Sequence, residues 1–241
     1  MSHPAGVVAS HALVTLIDGP RQPLRILHQG RLAWQLADAG GEVVCCVTFP
    51  GALRLPHALS VGVPLDPASP LAVGAGALSS GGTRLAVTRW WQPSQPRWPG
   101  LRSRLHEPTA VEKVCTWREQ LGHGCGLTPY ADDVLLASLV TLIAARHPLS
   151  ARWSAEICAA PLEELTTAAS AGLLRQAARG LCLEQLAALL AALAAGEDGA
   201  VWHAEHGLLA VGSSSGAGLL EGVQQLLGPA WSTSVIRSAA A

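Results

Sequence analysis

Residues Gly122 to Ala145 read Gly-His-Gly-Cys-Gly-Leu-Thr-Pro-Tyr-Ala-Asp-Asp and then Val-Leu-Leu-Ala-Ser-Leu-Val-Thr-Leu-Ile-Ala-Ala. No other stretch of the chain carries so many constraints. Glycines at alternate positions 122, 124 and 126 let the backbone take positive φ, or pass close to a group that a Cβ would strike. Thr128 is placed to cap the first amides of a helix, with Pro129 at its first position, where a missing N–H costs nothing. Asp132 and Asp133 then fall in the opening turns, at the positive end of the helix dipole. The twelve residues after them hold only Ser138 and Thr141 as polar groups, so this helix is expected to be buried on most sides. Two carboxylates are thereby held at the mouth of a core helix.

Composition excludes several functions. With 241 residues the chain can bury a sizeable core, as one large domain or two small ones. A formal charge of -1 and 14% charged residues leave no basic footprint for nucleic acid. The apolar run from Val7 to Ile17 is broken by Ser10, His11 and Thr15 and has no basic flank, so no secretory signal is expected. Neither Val134 to Ala145 nor Leu186 to Ala195 reaches the roughly 20 residues of a membrane span. The expectation is a soluble, cytoplasmic protein without membrane contact. Six scattered cysteines with no Cys-x-x-Cys pair read as reduced and mostly buried.

The fold class expected is α+β, a mainly antiparallel β-rich N-terminal half followed by a mainly α-helical C-terminal half. Val7 to Ile17, Arg25 to Leu36, Glu42 to Phe49 and Thr83 to Trp91 carry strand patterns, separated by Asp18-Gly19-Pro20, Ala39-Gly40-Gly41 and Pro50-Gly51. They suggest a small sheet or barrel in residues 1–92. Residues 92–100 hold three prolines and form the best linker. The helical region, 101–241, has helical patterns at Ala110 to Leu121, Trp153 to Cys158, Leu162 to Arg179 and Leu183 to Ala195, with Gly180 as a C-cap.

Near the C-terminus, Gly207-Leu-Leu-Ala-Val-Gly212 reads as a strand entering the turn Ser213-Ser214-Ser215-Gly216, which opens a helix from Ala217 to Leu227. A strand that runs into a Gly/Ser turn and then a helix gathers backbone amides and hydroxyls suited to an anion. The bland alternative is a tight turn with no ligand. Neither the Walker pattern nor the dinucleotide fingerprint is present. His203 and His206 have i, i+3 spacing, but they precede the strand pattern as a surface turn would, and no metal site is assigned to them.

Three blocks of sequence together are more specific: Gly124-x-Gly-Leu-Thr-Pro-x-x-Asp-Asp-x-Leu, Thr166 to Gly180, and Leu208 to Gly216. In order and spacing they resemble the former domain-of-unknown-function family now named for the oxamate carbamoyltransferase accessory subunit, over about Leu121 to Gly222. The resemblance implies a subunit working with two larger partners, in allantoin catabolism, where a carbamoyl group is exchanged between oxamate and phosphate. The family usually shows Gly before the aspartate pair and His after the second-turn glycine, whereas this chain has Ala131 and Ser213. Serine keeps hydrogen bonding but loses the titration of an imidazole.

On that resemblance the ligand is a small anion of the carbamoyl phosphate or oxamate class. Its binding residues would be Gly124, Gly126, Thr128, Arg175, Gly212, Ser213, Ser214, Ser215 and Gly216, with Arg175 supplying a fork for the charged group. Asp132 and Asp133 would be the catalytic pair. Three roles are open to them: orienting the site, binding Mg²⁺, or accepting a proton from an amide nitrogen. Mg²⁺ is the only cofactor suggested. The alternative to a carbamoyltransferase subunit is a non-catalytic scaffold or regulatory subunit that docks partner proteins, favoured by Ser213 and by the lack of a complete nucleophile and base set.

Overall fold

The computed structural model describes residues 6–105 and 117–228. They fall into two compact units, Met1–Pro93 with Ala171–Leu173, and Ser94–Ser170 with Leu174–Ala241.

The first unit is a closed barrel. Its strands are β1 (Val7–Ser10), β2 (Gln22–Gln29), β3 (Ala33–Ala37), β4 (Val43–Thr48), β5 (Ala58–Ser60), β6 (Leu71–Gly74), β7 (Ala77–Ser80) and β8 (Thr83–Trp91). They run around the barrel in the order β1-β5-β4-β3-β2-β6-β7-β8, with β8 closing on β1. Alternate residues supply the core, for example Cys45 and Val47 on β4, and Trp34 meets Phe49 edge to face with ring centroids 5.2 Å apart. Closure leaves no unpaired edge.

The expectation of a mainly antiparallel sheet needs correcting to a mixed one: β1 with β8 and β4 with β5 pair in parallel, the rest antiparallel. The Val7 to Ile17 strand is also shorter than its pattern. The Ser10 hydroxyl accepts from the Ala12 amide at 3.2 Å and donates to the Pro56 carbonyl at 2.6 Å, which turns the chain into a 3₁₀ segment and then helix α1 (Val14–Asp18). Arg25 to Leu36 is two strands, β2 and β3.

The second unit is helical among the described residues: α2 (Trp117–Gln120), α3 (Tyr130–Ala144), α4 (Leu149–Ala159), α5 (Leu162–Leu165), α6 (Ala168–Ala178), α7 (Glu184–Ala195), α8 (Asp198–Leu209) and α9 (Ser215–Leu227). Most of the predicted helix Ala110 to Leu121 lies outside the described residues. In the proline-rich stretch, Ser94 bridges Cys182, the Trp98 amide donates to the Ala144 carbonyl at 2.8 Å, and a 3₁₀ turn starts at Pro99. No helix among the described residues is long and apolar enough to cross a membrane.

Two expectations for this unit are overturned. Residues 207–212 are no strand: Gly207 to Leu209 complete α8, and the pair His203 and His206 lies inside that helix rather than in a turn. Leu208 and Val211 are buried at i, i+3 spacing, the helical periodicity that a short apolar run hides. The single helix expected over Leu162 to Arg179 is two, because Thr167 caps α6 by accepting from the Ser170 amide at 3.2 Å. Gly180, at φ +76°, ends α6 as the predicted C-cap glycine.

The core of this unit is the pair α3 and α9. α3 is buried along almost all its length, as its sequence implies. Gly218 and Gly222, one turn apart on α9, let the helices touch backbone to side chain: a Cβ on Gly218 would sit 2.9 Å from the Asp133 Cβ, and one on Gly222 would strike the Val134 carbonyl oxygen. The Ser138 hydroxyl reaches across to the Gly222 carbonyl at 3.2 Å.

Candidate functional site

The glycine turn folds back over the start of α3. Gly122, Gly124 and Gly126 have φ of +76°, +117° and +109°, values that favour glycine. The His123 carbonyl accepts from the Ala131 amide at 3.1 Å, which closes the loop. Thr128, expected to cap the helix amides, does something else. The N-cap position belongs to Pro129, with no side-chain cap, and the Thr128 hydroxyl donates to Asp133 Oδ2 at 3.1 Å.

Both aspartates are buried, at 2% and 3% exposure. Asp132 accepts from the Gly122 amide at 2.8 Å with one oxygen and from the Thr166 hydroxyl with the other. It therefore ties the glycine turn to the segment between α5 and α6. Thr167 adds a second tie, donating to the Leu127 carbonyl at 2.6 Å. Asp133 faces α9. Thr128 Oγ1 lies 2.7 Å from Ser215 Oγ, so the two Gly-rich turns meet at a hydroxyl pair above the Asp133 carboxyl.

Burial dominates the electrostatics of Asp133, raising its pKa from 3.8 to about 7. Hydrogen bonds from Ser215 and Thr128 pull it down, and the charge on Asp132 adds to the rise. A carboxyl that exchanges its proton near neutrality thus sits beneath two hydroxyls. Beside it, Tyr130 donates to Glu221 at 2.5 Å, and that bond, with burial, pushes the phenol up to about 12.

The remaining predicted site residues divide. Gly124, Gly126, Gly212 and Ser213 are exposed, and Ser214 and Ser215 half-buried. Among the described residues the amides of Gly124, Gly126, Ser213 and Ser214 make no backbone hydrogen bond, whereas the buried Gly216 gives its amide to the Val211 carbonyl at 2.9 Å. Arg175 is not brought to the turns: its fork grips Glu163 with both terminal nitrogens, at 2.6 and 2.8 Å. Asp132 has both oxygens on protein donors, and among the described residues no three His, Cys, Asp or Glu side chains gather.

The residues missed as site members are Thr166, Thr167 and Tyr130. A Thr-Thr pair interrupting two apolar helical runs is a capping signal, and it was readable as such.

Residues 120–227 match the family oxamate carbamoyltransferase subunit AllH. The match begins at the last residue of α2 and ends with α9, so it takes in both glycine turns, the Thr166-Thr167 link and the aspartate pair, and leaves the barrel outside. No curated protein matches the chain, and no solved structure does.

Proposed function

We propose that this chain is a subunit of a carbamoyltransferase complex of the AllH kind, holding a small anion between its two Gly-rich turns. The observation that carries the reading is the hydroxyl contact of Thr128 with Ser215 above Asp133, inside the segment matching AllH. Amides at Gly124, Gly126, Ser213 and Ser214 are the donors offered to a phosphate or carboxylate. Carbamoyl exchange forms a bond from a phosphate oxygen to the carbamoyl carbon and breaks that carbon's bond to the amide nitrogen of oxamate. The departing nitrogen takes a proton. Asp133 is suited to hold that proton near neutral pH and pass it outward through Ser215 or Thr128. Asp132 positions the loop rather than reacting.

Calorimetric titration with carbamoyl phosphate, phosphate and oxamate tests the binding reading, on wild type and on Asp133→Asn. Binding by wild type that weakens in the variant supports it, and no binding by wild type sinks it for the isolated chain. A second reading, a scaffold that docks partner proteins, is favoured by the internal use of Arg175 and of both Asp132 oxygens. Co-purification with two larger subunits, with no ligand affinity in any state, decides for the scaffold.

A further inference from the structure

A polar hollow of about 420 Å³ lies in the helical unit, at the C-terminal ends of α3 and α6. Its polar lining is Gln95, Arg97, Arg146, Ser150, Ser154 and Arg179, and among the described residues no carboxylate borders it. Among the described residues none of the three arginines makes an ion pair. Gln95 organises the group, donating to the Arg179 carbonyl at 3.2 Å and accepting from Arg97 at 3.3 Å.

The backbone at Arg146 is the second observation. α3 and α6 end in the same way, each with a left-handed residue after the cap. At α3 the amides of Arg146 and His147 return to the carbonyls of Ile143 and Leu142, and at α6 those of Gly180 and Leu181 return to Ala177 and Gln176. α6 uses glycine at that position, but α3 uses arginine at φ +54°. A side chain is strained there and glycine would not be. The chain therefore keeps a guanidinium at a position where helix termination alone favours glycine.

A bland function for these arginines is to offset the carbonyl ends of α3 and α6. Each end is worth about half a negative charge, so three guanidiniums leave an excess of about two positive charges. All three arginines are exposed, so the excess is open to water and to an anion of matching charge. A carboxylate occupies one guanidinium fork, whereas a phosphate group has oxygens for several. The volume is that of a small-molecule site.

We propose that this hollow binds a phosphate-bearing small molecule, a phosphate monoester or diphosphate, through Arg97, Arg146 and Arg179 with Ser154 as a further donor. The proposal is independent of the glycine-turn site. It is tested by calorimetry on the full chain with inorganic pyrophosphate, with oxalate as the carboxylate control. Pyrophosphate is expected to bind more tightly than oxalate. Arg146→Gly is expected to weaken pyrophosphate at least about tenfold while its melting temperature stays level or rises, and Arg179→Gln to weaken it similarly. No pyrophosphate binding by wild type, or equal binding by both variants, overturns the proposal. Binding lost in Asp133→Asn and kept in Arg146→Gly places the anion at the glycine turns and overturns it as well.

Discussion

Thr128 Oγ1 stands 2.7 Å from Ser215 Oγ and 3.1 Å from Asp133 Oδ2, so one hydroxyl joins two turns 87 positions apart to a buried carboxyl. Removing it leaves Asp133, only 3% exposed, short of one donor. Thr128→Val is expected to lower stability by about 1–3 kcal/mol, more than Ser215→Ala does. Urea unfolding of both single variants and the double variant measures this. Because the two hydroxyls share one network, the double variant should lose less than the two single losses combined; simple additivity would show that the turns are not coupled here.

The Asp133 carboxyl gives stability a definite pH dependence. Its folded pKa, about 7, lies above its ordinary 3.8, so the folded chain holds this proton more tightly than the unfolded chain does. The contribution is fully present below 3.8 and is lost as pH rises through about 7. The rise corresponds to a ceiling of about 4 kcal/mol. Asp133→Asn, which cannot ionise, is expected to gain on wild type steadily as pH climbs through that window. Unfolding free energies of the two proteins across the window check it, and a constant difference would show that the carboxyl stays ionised throughout.

How far this was readable in the sequence follows from which interactions are local. The glycine turn, the buried α3 and the opening of α9 were legible because each depends on residues within a few positions of one another. The role of Thr128 was not, since a threonine before Pro129 looks like a helix cap whether or not an aspartate waits five residues on. The Gly207 to Gly212 run was misread because six residues of glycine and aliphatics fit a strand as well as the end of a helix. Only the burial of Leu208 with Val211 separates the two. Barrel closure was expected only as an alternative to a sheet, and the parallel pairing of β1 with β8 joins Val7 to Val87, a register no local alternation encodes. Of the candidate site, the meeting of the two turns followed from the family blocks. The capture of Arg175 by Glu163 did not, because ion-pair choice between helices leaves no spacing to read.

That capture yields its own prediction. The Arg175 side chain is 10% exposed and Glu163 19%, and the two make a bidentate pair. Breaking such a pair strands a charge with little water. Arg175→Gln is expected to cost about 2–4 kcal/mol and to leave the affinity of the glycine turns for an anion unchanged wherever the protein remains folded. Arg175→Lys keeps the charge but not the fork and should fall between. Thermal unfolding with calorimetry on the same samples separates stability from binding. A loss of anion affinity without a loss of stability would return Arg175 to the ligand.

The contact of α3 with α9 predicts opposite results for one substitution at two kinds of helical glycine. Alanine is the better helix former by about 1 kcal/mol, so replacing a glycine with open space around it should stabilise. Gly207 in α8 is such a position, with nothing within 4 Å of a new Cβ. At Gly222 the same methyl meets the Val134 carbonyl, with the Ala137 Cβ at 2.9 Å, and neither a backbone oxygen nor a short side chain can swing aside. The helices must part, which costs about 1–3 kcal/mol or more and pulls Ser138 from its bond to the Gly222 carbonyl. Gly218→Ala acts closer to the site, because its methyl would press on the Asp133 Cβ. It is expected to disturb the Thr128 and Ser215 contact as well as stability, and so to weaken anion binding where Gly222→Ala weakens mainly the fold. Comparing denaturation midpoints of the three variants, with ligand titration of those that remain folded, tests the order. Equal stability for Gly207→Ala and Gly222→Ala would mean that the two helices are not in backbone contact.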